Sequence, residues 1–417
     1  MTDLKKIISI KDYRTFAGPD WPAYDSIVAG VASDSTVIQQ EVDEFVAMMR
    51  QTFDEINQSG NSLAEQNQQR QQQVFYDKHY TGATQCRVPW NTLGVNNNGD
   101  VFLCSSPSWI PKFAGNILQT NDIYQVLNST MAQQIRQEIS AGRYYYCNNK
   151  ICSFFANIDP TTYQSSPQPT DLPLPFDPQK SVTAIPANLI FDFDYTCNFK
   201  CPSCRTQLIN NNKHHVIRPV NNSIVQKIKH LIIDQIQNQA VEIRWCGGEP
   251  FISEVYQDLF EYIICADKPN IQHIIQTNGS YLQSKASMVQ KLLPTTKELR
   301  ISFDAATAET YQKIRVNGDW DLLINNVRWV QDYIAGSQLP TRVSADFVVQ
   351  SDNYKEIPAF VDLCNDLGIQ HINFQKMWNW GTWPQQEFDN KNIYNPAHPL
   401  YSQLTEMFEK TGRKILF

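Results

Sequence analysis

The sequence predicts an α/β fold with a parallel sheet, because strand-like and helical segments alternate through its second half. Six apolar or β-branched runs are the strand candidates, at 188–194, 240–245, 271–276, 297–303, 342–349 and 369–375. The clearest helix between them covers 223–237, where Ile224, Ile228 and Ile232 lie on one face. This alternation favours parallel strands joined by right-handed crossovers, in a partial barrel or a doubly wound sheet. Either architecture binds ligands at the carboxyl ends of its strands.

The remaining parts of the 417-residue chain do not share this alternation. Residues 36–57 have apolar side chains at helical spacing, and prolines are dense between 160 and 186. We therefore expect five segments in chain order: a helical extension at 1–83, a small cysteine-containing domain at 84–156, a proline-rich linker at 157–186, the alternating region at 187–380 and a helical cap at 381–417.

The composition excludes some classes of partner. The net charge is −7 and no basic stripe is present, so we expect no nucleic-acid partner. No apolar run reaches the roughly 18 residues of a membrane span, and the first residues lack the apolar core of a signal peptide. We therefore expect a cytoplasmic protein with no membrane partner. Ten cysteines in a reducing compartment indicate metal or redox chemistry rather than disulfide bonds.

Three of these cysteines form a short motif directly after the first predicted strand. Cys197, Cys201 and Cys204 have the spacing C-x3-C-x2-C. Three thiolates this close together can hold three irons of a cubane cluster and leave the fourth iron open to a ligand. A zinc ribbon would instead need two C-x2-C pairs to supply four ligands.

The motif resembles that of the radical S-adenosylmethionine (radical SAM) enzymes. This resemblance implies a partial (β/α)6 barrel and a 4Fe–4S cluster whose open iron chelates S-adenosylmethionine (AdoMet). One electron, from a donor such as flavodoxin or ferredoxin, would then release a 5′-deoxyadenosyl radical that abstracts a hydrogen from substrate. Ser203 stands where the family usually has a bulky residue close to the adenine, so the adenine contact must come partly from elsewhere.

The second predicted strand ends in a glycine-rich motif, Gly247-Gly248-Glu249-Pro250. Glycines let the backbone approach a ligand closely, and the glutamate can accept hydrogen bonds from an ammonium group. The motif looks like the family's Gly-Gly-Glu-Pro sequence, which receives the AdoMet amino group. A plain strand-to-helix turn is the alternative.

The next strand ends carry further polar residues that the resemblance places near AdoMet. Asn278 would lie near the cofactor, and Ser302 and Asp304 would suit the ribose hydroxyls. Arg315 is in a segment similar to one whose arginine faces the AdoMet carboxylate, and a bidentate guanidinium–carboxylate pair is chemically apt. A surface ion pair is the other interpretation of Arg315.

A second group of cysteines precedes the alternating region. Cys86 and Cys104 flank a predicted β-hairpin, which would bring them together, and Cys147 and Cys152 follow. Four cysteines so arranged can saturate a second 4Fe–4S cluster, as in the auxiliary domains called SPASM and twitch, which the segment resembles. Those domains usually follow the barrel, whereas this one precedes it. A structural zinc site is the alternative.

Two remaining cysteines are candidate hydrogen donors. Some family members use a thiol to return a hydrogen atom to a substrate radical, and Cys246 or Cys364 could do so here. Packing in the core is the default interpretation of such residues.

Together these features predict a radical SAM oxidoreductase with two clusters. Family members with auxiliary domains mostly modify peptides or proteins, by epimerisation, crosslinking or oxidation, so we favour a peptide substrate. The first alternative is a dehydrogenase of a small hydroxylated or sugar-like molecule. The second, from another class, is a zinc-stabilised binding protein.

Overall fold

The computed structural model describes residues 86–140, 146–147, 181–212, 215 and 217–413. Within these residues the chain forms two compact units, and each unit is discontinuous in sequence. The first contains the described residues of 194–218 and 242–413, and the second those of 86–193 and 219–241. The predicted extension at 1–83, with its amphipathic segment 36–57, lies outside the described residues.

The described residues of the second unit contain four strands, which are neighbours in the order β3-β2-β1-β4. They are β1 (Thr92–Asn96), β2 (Asp100–Phe102), β3 (Gly115–Asn116) and β4 (Asn188–Asp192). The predicted hairpin is confirmed, since β1 and β2 pair antiparallel. Gly99 makes the turn possible, because its φ of 80° is a conformation that favours glycine. The parallel pairing of β1 with β4 then joins the cysteine-bearing segment to the first predicted strand.

The described residues of this unit also form four α-helices: α1 (Val88–Asn91), α2 (Ile123–Leu127), α3 (Thr130–Ser140) and α4 (Arg218–Ile228). A buried arginine of α3, Arg136, donates to the carbonyl oxygens of Pro89 and Leu127 and so fixes three helices together. Helix α4 begins five residues before the predicted 223–237 segment and continues into a π-helix, Lys229–Ile233. Pro219 explains the early start, because the first turn of a helix needs no backbone N–H donor.

The first unit contains the remaining five predicted strands, in the order β5-β6-β7-β8-β9. They are β5 (Val241–Trp245), β6 (Ile271–Thr277), β7 (Thr296–Ser302), β8 (Arg342–Val349) and β9 (His371–Lys376). Strands β6 to β9 pair in parallel. Strand β9 pairs with β8 alone among the described strands, so the sheet is open. The predicted α/β class with a partial barrel is confirmed.

Seven α-helices belong to this unit: α5 (Glu254–Cys265), α6 (Ala286–Leu292), α7 (Ala308–Ile314), α8 (Trp320–Gly336), α9 (Ile357–Asp366), α10 (Gln385–Lys391) and α11 (Tyr401–Lys410). The longest, α8, is capped by the Asp319 side chain and buries Leu323, Val327 and Val330 on one face. Within the described part of the chain, no helix combines the length and apolar character needed to cross a membrane.

Side-chain alternation gives the strands of the first unit two different faces. On β5, Trp245 packs against Tyr256 and Phe260 of α5, with ring centroids 5.5 and 4.4 Å apart. The opposite face, which we call the inner face, is polar. It carries Arg244 of β5, Gln276 of β6, Arg300 and Ser302 of β7, Asp346 of β8 and Asn373 of β9.

Candidate functional site

The three cysteines of the C-x3-C-x2-C motif lie on one loop of the first unit, residues 194–209, which we call the cysteine loop. The backbone fixes this loop at both ends, through a hydrogen bond from Cys197 N to Ile209 O and another from Cys204 N to Cys201 O, both 2.9 Å long. Cys201 is buried, Cys197 is half-buried and Cys204 is exposed. The three cysteines of the motif therefore differ in their exposure to solvent, which increases from Cys201 to Cys197 to Cys204.

Each of these thiols is contacted by a side-chain N–H donor. Arg205 Nη2 lies 3.5 Å from Cys204 Sγ, Arg315 Nη1 lies 3.8 Å from Cys201 Sγ, and Asn278 Nδ2 lies 3.9 Å from Cys197 Sγ. Donors at sulfur stabilise negative charge on a thiolate and tune the potential of an iron–sulfur cluster. The arrangement thus suits an anionic sulfur site.

Burial opposes ionisation of two of these thiols, those of Cys197 and Cys201. It raises the pKa of Cys197 to about 12, although the Arg205 guanidinium acts against the shift. Burial also raises the pKa of Cys201, with Arg315 opposing it. Binding of iron would have to displace these protons, so metal loading is coupled to proton release.

The sulfur atoms are not gathered around a single ion. Among the described residues, no three Cys, His, Asp or Glu side chains form a group that could hold one metal ion. A cubane is less demanding, because each cysteine binds a different iron and the sulfurs stand further apart. The donor set of three thiols with N–H groups directed at them fits a cluster of this kind.

The glycine motif after β5 packs against the cysteine loop. A Cβ atom on Gly248 would lie 2.0 Å from the carbonyl oxygen of Thr196. Two backbone hydrogen bonds accompany the contact, from Gly248 N to Asp194 O and from Glu249 N to Thr196 O. The sequence interpretation assigned the close approach to a ligand, but at Gly248 the close neighbour is the protein's own backbone.

The Glu249 carboxylate is occupied by internal hydrogen bonds. It is 1 % exposed and accepts from Thr277 Oγ1 at 2.7 Å, from Asn278 N at 2.7 Å and from Phe251 N at 3.2 Å. Burial raises the pKa of Glu249 to about 7. Because three donors already use most of its acceptor capacity, the predicted direct contact with an ammonium group is revised. Glu249 instead positions Asn278 at the end of β6, and Pro250 follows it in the turn.

An ion pair joins the end of β7 to Arg315, which contacts the cysteine loop at Cys201. Asp304 Oδ2 and Arg315 Nη2 are 2.7 Å apart; the Asp304 side chain is buried and that of Arg315 is 14% exposed. Asp304 also accepts from Val348 N at 2.7 Å, and its φ of 60° is unusual for a residue other than glycine. The carboxylate predicted to bind ribose is therefore used inside the protein. The Arg315 Nε–H is buried with no acceptor among the described residues, which fits the predicted AdoMet carboxylate.

Two other predicted cofactor contacts lie at these strand ends. Ser302 Oγ accepts from Gln276 Nε2 at 2.9 Å, so it belongs to the inner face. Asn278 Nδ2 also donates to Asn198 Oδ1 at 2.9 Å, which ties β6 to the cysteine loop. Ser203 lies between Cys201 and Cys204, half-buried in the loop.

The two candidate hydrogen donors lie in different places. Cys246 follows β5, and its carbonyl oxygen accepts from the Tyr256 hydroxyl, which also accepts from Asp194 N. Strand alternation places Cys246 on the inner face with Arg244. Cys364 is 0 % exposed on the face of α9 that carries Phe360, whose ring packs on the outer side of the strands. The prediction that Cys364 could reach a substrate is therefore corrected, because a hydrogen donor must face the substrate.

The second unit brings three of the four auxiliary cysteines together. Cys104 and Cys147 are buried in one cluster with Ile110, Ile135 and Ile139, and Cys86 packs against it. The hairpin places Cys104 in this cluster, as the sequence predicts. Helix α3 contributes Ile135 and Ile139 to it. Cys152 lies outside the described residues. Three thiols in an apolar shell form a donor set that suits either a buried iron–sulfur cluster or a structural zinc ion.

A buried aspartic acid, Asp100, lies in the hairpin that precedes Cys104. Asp100 accepts from Asn116 Nδ2 at 2.9 Å and from Asn96 Nδ2 at 3.1 Å. Burial nevertheless raises the pKa of Asp100 to about 6 from 3.8. The protonated form therefore favours the folded state, and its stabilisation is present below pH 3.8 and lost as the pH rises through about 6.

Replacing Asp100 by asparagine should remove this pH dependence. Between pH 5 and pH 7, the free energy of unfolding of the wild type should fall by about 1 kcal/mol relative to Asp100→Asn. Urea denaturation of both proteins at the two pH values measures the difference, with the exposed Asp362→Asn variant as control. A difference that stays constant with pH would contradict the prediction.

The sequence analysis missed several polar residues of the inner face. Arg244, Gln276, Arg300 and Asp346 were not singled out, because each lies inside a strand or in a segment without a recognisable motif. Their signal was a polar side chain at alternate positions of otherwise apolar strands. Such a signal has meaning only when the register between neighbouring strands is known.

Comparison with known proteins agrees with this site. Residues 193–364 match the sequence profile of the Radical SAM superfamily, and residues 86–153 match the SPASM profile, an iron-sulfur cluster-binding domain. These domains imply AdoMet and 4Fe–4S clusters as cofactors.

Similar curated proteins include a probable GTP 3′,8-cyclase of Methanocaldococcus jannaschii, 25% identical over 51% of this chain and 64% of the relative. An Fe-coproporphyrin III synthase of Methanosarcina barkeri is 26% identical over 45% of this chain and 43% of the relative. The chain thus spans less than two thirds of the length of these relatives.

Similar solved structures include anSMEcpe with bound AdoMet and Cp18Cys peptide. Its sequence is 16% identical, the match covers 54% of this chain and 62% of that chain, and the TM-score is 0.35. Streptococcus suis SuiB bound to precursor peptide SuiA has 16% identity, covers 62% of this chain and 55% of that chain, and has a TM-score of 0.31.

The two sequence profiles alone assign residues 193–364 to a domain of the radical SAM superfamily and residues 86–153, which precede them along the sequence, to an iron-sulfur cluster-binding domain of the SPASM type.

Proposed function

We propose that the protein cleaves AdoMet reductively and abstracts a hydrogen atom from a peptide or protein substrate. The observation that carries the first part is the cysteine loop, in which every thiol of the motif receives an N–H donor. The SPASM domain supports the second part, because proteins of the family with such domains mostly modify peptides.

The residues of the loop would hold the catalytic cluster and orient AdoMet. When bound, a 4Fe–4S cluster and AdoMet together supply a one-electron cleavage of the sulfonium and a hydrogen-abstracting adenosyl radical. Cys197, Cys201 and Cys204 would hold the cluster. Arg315, fixed by Asp304, keeps one N–H donor available for an anionic group of the cofactor.

Glu249 and Arg205 would keep this arrangement rigid. Glu249 joins the ends of β5 and β6 through its buried carboxylate. Arg205 donates to the carbonyl oxygens of Tyr195 and Gly247, at 2.7 and 3.3 Å, as well as contacting Cys204. A preorganised set of donors needs no rearrangement when charge develops at the sulfurs.

The test is formation of 5′-deoxyadenosine. Protein prepared without oxygen and reconstituted with iron and sulfide is given AdoMet and dithionite, and the products are quantified by chromatography. We expect 5′-deoxyadenosine and about eight irons per chain, four for each cluster. Colourless protein containing zinc and forming no 5′-deoxyadenosine would overturn the proposal.

The substrate class is tested in parallel arms. Each reaction also receives a peptide encoded beside the gene, GTP, or a hydroxylated aminocyclitol, and the added compound is examined by mass spectrometry. We expect a mass change in the peptide alone. Conversion of GTP would show that the substrate is GTP, as in the name of the similar GTP 3′,8-cyclase, and not a peptide. Oxidation of the aminocyclitol would favour a small-molecule dehydrogenase.

Replacing Cys104 by alanine should separate the two clusters. Because Cys104 belongs to the second unit, we expect the iron content to fall by roughly half while 5′-deoxyadenosine still forms without substrate. Substrate turnover should end, since the proposed auxiliary cluster would accept an electron from the substrate or bind it. The matched control is Cys265→Ala, which removes an exposed thiol. Full turnover by Cys104→Ala would contradict the auxiliary role.

A further inference from the structure

The inner face contains an arginine, Arg244, that has no ion-pair partner among the residues that the structure describes. Arg244 is half-buried on β5, and its Nε–H is buried with no acceptor among the described residues. No ion pair involves Arg244 within that part of the chain. A half-buried guanidinium with one buried N–H that lacks an acceptor in the described structure is a suitable donor for a ligand that supplies an anion.

A second guanidinium on this face also has an unused donor. Arg300 donates from Nη2 to Glu298 Oε2 at 3.0 Å, while its Nε–H is buried without an acceptor in the described structure. The side chain keeps 27% of its surface exposed, so a ligand can reach it. Arg300 is also close enough to Cys246 and Asp346 for electrostatic interaction.

The carboxylate of Asp346 accepts hydrogen bonds from two amides and forms no ion pair with Arg244 among the described residues. Gln276 Nε2 donates to its Oδ2 at 2.9 Å, and Asn373 Nδ2 donates to its Oδ1 at 2.8 Å. The same Gln276 nitrogen donates to Ser302 Oγ. These amide groups hold Asp346 in a fixed position and leave the two arginines as the donors open to a ligand.

The charge balance of the face selects the kind of anion. Its charged side chains are Arg244, Arg300, Arg342, Glu298 and Asp346, together with the ion pair between Glu242 and Lys297. Three guanidinium groups facing two carboxylates leave one net positive charge. A carboxylate carries one negative charge, whereas a phosphate carries about −1.5 to −2 and a triphosphate more.

We propose that Arg244 and Arg300 bind a carboxylate group of the substrate on the inner face, beside Cys246. The planar guanidinium fork matches the two oxygens of a carboxylate. This inference rests on the proposed function, because it identifies the part of the peptide that binds there: an acidic side chain or the C-terminal carboxylate.

The thiol of Cys246 provides a reporter that requires no substrate. Iodoacetate and iodoacetamide alkylate a thiol in the same way, by forming a carbon–sulfur bond with loss of iodide, but iodoacetate alone carries a carboxylate. The rates at Cys246 are measured by peptide mass mapping of the reconstituted protein. The exposed Cys265 of the same chain gives the reference ratio for the two reagents.

We expect the ratio of the alkylation rate with iodoacetate to the rate with iodoacetamide to be about tenfold higher at Cys246 than at Cys265. A tenfold difference is the effect of one charge-assisted hydrogen bond. Arg244→Gln and Arg300→Gln should each lower the excess, while Arg328→Gln, which removes an exposed positive charge from α8, should leave it unchanged. Equal ratios at the two cysteines, or an excess that survives in Arg244→Gln, would overturn the proposal.

Competition identifies the anion. N-acetylglutamate should slow alkylation of Cys246 by iodoacetate, and GTP at the same concentration should not. Stronger protection by GTP would overturn the assignment to a carboxylate. The 5′-deoxyadenosine assay distinguishes failure of this proposal from failure of the proposed function. If no 5′-deoxyadenosine forms but iodoacetate still reacts preferentially at Cys246, only the proposed function is rejected. If 5′-deoxyadenosine forms but the preference at Cys246 is absent, only this site is rejected.

The melting temperature distinguishes binding from a structural role. Because Arg244 has no partner to lose, Arg244→Gln should melt at the same temperature as the wild type or higher. A melting temperature lower by several degrees would show that Arg244 supports the fold, and the site would be rejected.

Discussion

Replacing Cys201 by alanine should abolish formation of 5′-deoxyadenosine. Cys201 is the most buried of the three motif cysteines, at 5% exposed, and its sulfur receives the Arg315 guanidinium. In the proposed site, alanine would remove a ligand that neither neighbouring cysteine could replace, because both are fixed by the same short loop. The Asp304–Arg315 ion pair would then face an empty volume rather than a negatively charged sulfur.

The matched control for this experiment is Cys364→Ala. Cys364 is also buried, but it lies on α9 and faces the core rather than the cysteine loop. It should keep reductive cleavage of AdoMet, with a modest loss of stability from the small cavity. Quantification of 5′-deoxyadenosine after reconstitution of both variants gives the comparison. Residual cleavage by Cys201→Ala above the level without protein would show that this thiol is not a cluster ligand.

Gly248→Ala should have the second largest effect. The added Cβ would meet the Thr196 carbonyl oxygen at 2.0 Å, a distance that real contacts do not reach. Relief requires the two backbones to separate, which breaks the hydrogen bonds from Gly248 to Asp194 and from Glu249 to Thr196. We expect a loss of about 3 kcal/mol in stability, typical of severe overpacking, and loss of 5′-deoxyadenosine formation.

A glycine elsewhere in the chain isolates the steric effect. Gly336 ends helix α8, and a Cβ atom there would meet nothing within 4 Å. Gly336→Ala should be neutral or stabilise by roughly 0.5–1 kcal/mol through helix propensity. Thermal unfolding and the AdoMet cleavage assay are run on both variants. Normal activity and stability of Gly248→Ala would mean that the glycine motif does not support the cysteine loop.

The sequence was informative where a local pattern determines the structure. All six strands were predicted because apolar runs and intervening helices alternate, and the cysteine loop was predicted because its spacing is specific. The start of α4 was wrong because apolar periodicity begins at Ile224, whereas Pro219 allows the helix to begin earlier.

The chemistry of the inner face could not be predicted in the same way. The pairing of Gln276 with Arg300 and of Ser302 with Asp346 depends on strand register, which no local motif encodes. Glu249 shows a related limit. Its motif was recognised, but its three donors come from β6 and from the following turn, so its role as an internal connector emerged only from the folded arrangement.

The hydroxyl of Tyr256 receives a hydrogen bond from the start of the cysteine loop and gives one to the Cys246 carbonyl. One rigid ring on α5 therefore acts as a common anchor for both segments. A substitution or displacement that removes this hydroxyl would therefore release the cysteine loop and the glycine motif together, although Tyr256 belongs to neither of them.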